Sequence, residues 1–143
     1  MNIVVVSIVA VAVTQVIKTV WFYSRSNSHA ISFSWPAFWL GGFPSSHTAA
    51  LTSALYTIWK YDGTNLLFGF GAIISLLILY GLLEDKKRQV LFNEYFVQSK
   101  DSSLQRIVAE ERLLAFSGHS FFEILIGGII GIAVAMFMTA YFV

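Results

Sequence analysis

The run IVVVSIVAVAVTQVIKTVWFY, residues 3–23, contains a single charged residue, Lys18. A helix rises about 1.5 Å per residue, so a helix of this length crosses the roughly 30 Å hydrocarbon core of a bilayer. The run has neither a basic segment before it nor a small-residue cleavage site after it, so we interpret it as a retained helix and not as a signal peptide. This stretch therefore predicts an integral membrane protein.

The composition of the whole chain agrees with this class. Of its 143 residues, 57% are hydrophobic and 12% are charged, whereas about 25% are charged in an ordinary soluble domain. The length allows one domain, and the net charge of +1 gives no support to nucleic-acid binding. The chain contains no cysteine, which excludes disulfides, thiol catalysis and cysteine-ligated metal sites.

Three further apolar runs predict an all-α membrane protein with about four transmembrane helices in a single domain over residues 1–143. The second run is short, and as a helix it reaches only about 22 Å. It can cross the bilayer only if its His47 end starts below the interface. The three runs, in chain order, cover residues 46–60, 65–83 and 118–143.

Two polar connections separate these spans. Residues 24–45 are rich in aromatic side chains and suit a re-entrant or interfacial segment. Residues 84–117 form a charged helical insert, with an amphipathic helix that Asp101 could cap. With four spans, both connections lie on one side of the membrane, together with seven Lys and Arg residues, while Lys60 lies on the other side. The positive-inside rule makes the first side cytoplasmic.

Polar residues at the start of the second span need an explanation. His47 follows Ser45 and Ser46 in the segment GGFPSSHTAA, residues 41–50. The free N–H groups of a helix start, with serine hydroxyls beside them, form a site the size of a phosphate. The alternative is a capped helix start with an incidental histidine.

A second polar group lies at the start of the last span, on the same side of the membrane. His119 and Glu123 are four residues apart, which predicts that they stack on one helix face. The carboxylate could fix the imidazole tautomer and leave the other nitrogen as a base or nucleophile. The alternative is a structural pair that seals the helix entry.

Gln15 and Lys18 lie three residues apart in the first span, so they share a helix face and could present two donors to a buried anion. Lys18 could also snorkel to the nearby interface. Two histidines, an acid and a cluster of donors at one membrane face are what phosphoryl transfer from a lipid phosphate requires.

The segments GGFPSSHTA (41–49) and GHSFFE (118–123), with Gln15 and Lys18, resemble the divergent branch of the PAP2 family. That family is the type-2 phosphatidic acid phosphatase superfamily, which is related to vanadium haloperoxidases. The resemblance implies that His119 is a nucleophile that becomes a phosphohistidine, that Glu123 orients it, and that His47 is the general acid.

The resemblance also implies a cationic phosphate site without a metal or other cofactor. The arginines of the superfamily are not at their usual positions here, so Arg112 and Arg88, or Lys87 beside it, are the nearest substitutes. The predicted phosphate ligands are Lys18, Gln15, Ser45, Ser46, Gly118, Arg88 and Arg112.

The expected function is a lipid-phosphate phosphatase in the plasma or inner membrane, with its site facing the cytoplasm. Phosphatidate, phosphatidylglycerophosphate and isoprenyl phosphates or diphosphates all fit as substrates. The alternative is a non-catalytic PAP2-like protein that binds or transports a phosphorylated lipid. Glycines of the last span, Gly127, Gly128 and Gly131, allow close helix packing and offer a surface for a homodimer.

Overall fold

The computed structural model describes residues 2–25, 42–98 and 118–142, and all the regular structure in this part of the chain is α-helix. This confirms the all-α class. Most of the predicted re-entrant segment, with the amphipathic helix after residue 100, lies outside the described residues. The helices of the described part are α1 (Ile3–Arg25), α2 (Ser46–Asp62), α3 (Leu66–Gln98) and α4 (Phe121–Tyr141).

Three of these helices are long and apolar enough to cross a membrane. Their apolar parts are Ile3–Trp21, Leu66–Phe92 and Phe121–Tyr141. The remaining helix, α2, has 17 residues and a length of about 25 Å. The helices therefore identify a membrane protein, and by length and composition they support three spans, one fewer than the sequence predicted.

The short helix α2 packs against all three of the others. The hydroxyl of Ser7 in α1 donates to the carbonyl of Ala50 at 3.4 Å, and the ring of Trp21 packs on Phe43 before α2, so α1 and α2 run antiparallel. Beyond the point where Ser7 meets Ala50, α1 continues for roughly 27 Å to its C-terminal end. In the same direction, α2 reaches its N-terminus after only about 6 Å. The N-terminus of α2 therefore lies well below the end of α1.

Small residues make the closest contacts between the helices, as in other membrane bundles. A Cβ on Gly127 would lie 3.0 Å from the carbonyl carbon of Ser45, and a Cβ on Gly131 would lie 2.8 Å from the Cα of Ala49. The hydroxyl of Thr52 also donates to a carbonyl of α4 at 3.1 Å. These glycines are covered by α2 of the same chain, so the surface that the sequence offered for a homodimer is not available to a second copy.

Helix α3 is longer than the predicted third span, which ended at residue 83. It continues through the charged block to Gln98 and has 33 residues, or about 50 Å. No glycine or proline interrupts residues 82–98, and the amine of Lys87 pairs with the carboxylate of Glu84 at 2.7 Å within the helix. A bilayer core is roughly 30 Å thick, so the C-terminal part of α3 projects beyond it, at the end of the bundle where α2 and α4 begin.

Candidate functional site

The N-terminus of α2 forms the first wall of the site. The hydroxyl oxygen of Ser45 caps the helix, because it accepts from the N–H of Thr48 at 3.3 Å and from the Thr48 hydroxyl at 3.0 Å. Ser45 and Ser46 are buried, whereas His47 is exposed. The positive end of the helix dipole and the open N–H groups of this first turn favour an anion here.

The N-terminus of α4 lies directly against this wall. The N–H of Ser45 donates to the carbonyl of Glu123 at 3.0 Å. Helix α4 begins with a capping box, in which Oε2 of Glu123 accepts from the N–H of Ser120 at 2.9 Å and the hydroxyl of Ser120 accepts from the N–H of Glu123 at 3.4 Å. Glu123 therefore closes the helix start, while its predicted role as the orienter of His119 stays a prediction.

His119 lies outside α4, because the capping box makes Ser120 the N-cap and Phe121 the first helical residue. The prediction that His119 and Glu123 stack on one helix face is therefore wrong. The extended backbone of Ser120 separates His119 from the helical turn that carries Glu123.

The capping box gives a testable expectation for stability. Replacing Ser120 with alanine removes one of the two hydrogen bonds of the capping box and should lower the free energy of unfolding by about 1 kcal/mol. Ser120→Thr retains a capping oxygen and is the matched control. Thermal unfolding in detergent should rank wild type and Ser120→Thr above Ser120→Ala; equal melting of all three would contradict the role of the cap.

Backbone contacts with α3 hold His119 in place. The N–H of His119 donates to the carbonyl of Leu82 at 3.1 Å. Gly118 packs so tightly on α3 that a Cβ there would lie 2.9 Å from the carbonyl carbon of Asp85 and would collide with the backbone of Lys86. His119 is only 1% exposed, so both its backbone and its ring are enclosed.

The two histidines predicted as catalytic lie side by side. The ring centroids of His47 and His119 are 5.5 Å apart, and their planes meet edge to face at 84°. One ring is buried and the other is exposed. The structure thus brings together residues that are separated by 72 positions in the chain, at the end of the bundle where α2 and α4 begin.

Helix α1 contributes two buried polar side chains. Lys18 is 9% exposed and Gln15 is 7% exposed. Because so little of Lys18 is exposed, the other helices cover it, which argues against the snorkelling alternative. Its charge also interacts with that of Glu123. Among the described residues, no hydrogen-bond partner lies within reach of the buried Oε1 of Gln15. A buried polar atom of this kind is more typical of a binding site than of a packed core.

The remaining predicted ligands have different positions. Arg88 is exposed on the projecting part of α3, beside Leu91, Phe92 and Tyr95. Arg112 lies outside the described residues. Sequence reasoning missed the contribution of α3, where Leu82 and the backbone at Lys86 contact the histidine loop; no local sequence signal marks such a contact.

These observations define the class of the protein. It is a helical membrane protein with a buried polar site at one end of its bundle, and this site contains two adjacent histidines. The family model described as "Divergent PAP2 family" matches residues 1–134. The chain therefore belongs to the divergent PAP2 family, which confirms the resemblance seen in the sequence. Searches of curated proteins and of solved structures returned no significant match.

Proposed function

We propose that this protein is a membrane lipid-phosphate phosphatase that acts through a phosphohistidine intermediate. The observation that carries this proposal is the pairing of His47 and His119, whose ring centroids are 5.5 Å apart, in a member of the divergent PAP2 family. Phosphoryl transfer through a covalent intermediate needs a nucleophile and an acid on the same phosphoryl group. Two adjacent imidazoles supply both.

The reaction has two halves. A ring nitrogen of His119 attacks phosphorus, the bond from phosphorus to the lipid oxygen breaks, and His47 donates a proton to that oxygen. Water then attacks the phosphohistidine, and His47 takes a proton from the water as the bond from phosphorus to His119 breaks. The products are inorganic phosphate and the dephosphorylated lipid, and both histidines return to their starting states.

The different burial of the two rings supports these roles. A phosphoryl group must enter between rings that now touch edge to face. The exposed ring of His47 can turn aside to admit it, while the ring of His119 is enclosed and the main-chain N–H of His119 is anchored to the carbonyl of Leu82. A nucleophile that is held in place before the substrate arrives loses less entropy in the reaction.

The surrounding groups suit the charge of a phosphoryl group. Lys18 is buried on one side, and the N-terminus of α2, with Ser45 and Ser46, lies on another. Positive charge and N–H groups that are oriented before reaction stabilise the transition state of phosphoryl transfer, and this is the main source of catalysis in such enzymes. Glu123 balances the charge of Lys18 when no phosphate is bound.

A lipid is the favoured substrate because the site lies at the end of a membrane bundle. A phosphate headgroup could enter there while its hydrocarbon chains remain in the bilayer. Within the described residues, Lys86, Lys87 and Arg88 lie at this end of the bundle and Lys60 lies at the other. This asymmetry supports a site that faces the cytoplasm of a plasma or inner membrane.

The test is a panel of phosphatidate, phosphatidylglycerophosphate, isoprenyl phosphate and isoprenyl diphosphate, presented to the purified protein in vesicles. We expect release of inorganic phosphate from at least one lipid. A rapid alkaline quench with a labelled lipid should leave acid-labile phosphate on the protein, as phosphohistidine does. If no lipid is hydrolysed and no label is trapped, the proposal fails, and a protein that binds or transports a phosphorylated lipid is favoured instead.

A further inference from the structure

The loop that carries His119 contacts α3 at two points one helical turn apart. The N–H of His119 donates to the carbonyl of Leu82, and Gly118 packs on the backbone of Asp85 and Lys86. Positions 82 and 86 lie on the same face of a helix, because side chains four residues apart are neighbours. The face of α3 that includes Lys86 is therefore turned toward the histidine loop.

The three consecutive cations of α3 differ in their surroundings. Lys86 is half-buried. The Lys87 side chain is 70% exposed and forms an ion pair with Glu84, and Arg88 is exposed. Successive residues point about 100° apart around a helix, so only one of the three can face the loop, and its backbone contact with Gly118 identifies Lys86.

We propose that Lys86 is a phosphate-binding residue of the two-histidine site, with the phosphoryl group of a lipid as its ligand. The identity of that ligand rests on the proposed function. Lys86 would contact the phosphoryl oxygens from α3, opposite Lys18 from α1, so that the transferred group lies between two ammonium charges. This assigns to Lys86 the role that the sequence gave to Arg88 or Lys87.

The present hydrogen bond of Lys86 leaves its amine able to take this role. Its Nζ donates to Oε1 of Gln89 at 3.5 Å, which is long for a hydrogen bond. A bond from an ammonium group to a phosphate oxygen is shorter, at about 2.7–2.9 Å, and roughly twice as strong as a neutral bond. The flexible four-carbon stem of lysine allows the amine to turn from Gln89 to a phosphate beside His119.

The test compares Lys86→Gln with Lys87→Gln, since both changes remove one charge from adjacent positions of α3 and keep a good helix former. The readouts are KM and kcat on the best lipid of the panel, and the affinity for orthovanadate, which mimics phosphate and needs no turnover. Lys86→Gln should raise KM and weaken vanadate binding by about 10- to 100-fold. Lys87→Gln should stay within about twofold, and Lys86→Arg should recover most of the affinity, because a cation is retained.

The outcomes separate this inference from the proposed function. If the wild type hydrolyses lipid and both glutamine variants bind vanadate as it does, Lys86 is not a ligand and the phosphatase proposal stands. If no lipid is hydrolysed but Lys86→Gln alone weakens vanadate binding, Lys86 is a ligand of a non-catalytic site. A wild type that neither hydrolyses lipid nor binds vanadate overturns both. If Lys86→Gln does not fold, Lys86→Met keeps the length of the side chain and gives the same comparison.

Discussion

Replacing His119 with alanine should lower phosphate release by a factor of about 10⁴ or more, and no labelled phosphohistidine should form. The reason is that the variant lacks the attacking nitrogen, so water must attack the lipid phosphate directly. The measurement is the rate of phosphate release from the best lipid of the panel, with the alkaline-quench label as a second readout. Because His119 is only 1% exposed, thermal unfolding should be recorded on the same sample to establish that the variant folds.

His47→Ala is the informative comparison, because it removes the acid and leaves the nucleophile. General acid catalysis accelerates a reaction by about 10²- to 10⁴-fold. The rate of phosphate release by the variant should therefore fall by that factor when a lipid alcohol is the leaving group. With p-nitrophenyl phosphate, whose leaving group needs no proton, His47→Ala should lose far less of the rate of the first half, measured as the initial burst of p-nitrophenolate, whereas His119→Ala should show no burst. Full activity of His119→Ala, or equal losses of the two variants on both substrates, would contradict the assigned roles.

The membrane class and the convergence of the site were predictable from local features. Hydropathy alone marks α1, and counting the apolar runs places His47 and His119 at the same end of the bundle. The relation of His119 to Glu123 was predicted incorrectly, although a signal was present. Ser120 and Glu123 have the spacing of a capping box, which starts the helix at Phe121 and leaves His119 outside it.

Other features could not be read from the sequence, for physical reasons. Hydropathy shows where a span leaves the bilayer, not where its helix ends, so the continuation of α3 to Gln98 was not foreseen. The glycines of α4 indicate that another helix packs closely on them, but they do not show which helix it is. In α4 the partner is α2 of the same chain, whereas the sequence allowed a second copy. The contact between Gly118 and Lys86 joins residues 32 positions apart, and no periodicity records it.

Replacing either Gly127 or Gly131 with alanine should lower the free energy of unfolding by about 1–3 kcal/mol, which is the usual range for an overpacked interior. A Cβ on Gly127 would collide with the carbonyl oxygen of Ser45, and a Cβ on Gly131 would collide with the carbonyl oxygen of Ala49. Backbone atoms cannot rotate out of the way as a side chain can, so α2 and α4 must move apart. Thermal unfolding in detergent measures the effect.

Gly128 is the matched control, because it lies next to Gly127 on the same helix. A Cβ there would meet only the methyl groups of Thr48 and Thr52, each at 3.5 Å, which is ordinary van der Waals contact. Gly128→Ala should therefore melt near the wild type, or above it, since alanine is favoured over glycine in a helix by about 1 kcal/mol.

Gly127→Ala should also lower phosphatase activity beyond its effect on stability, because the atom it displaces belongs to the N-cap of α2, beside His47. Gly131→Ala disturbs α2 one turn deeper and should spare activity below its melting temperature. Equal melting of the three variants would show that the approach of α2 and α4 is looser than this geometry, and the tight start of α2 would then no longer explain how His47 is placed.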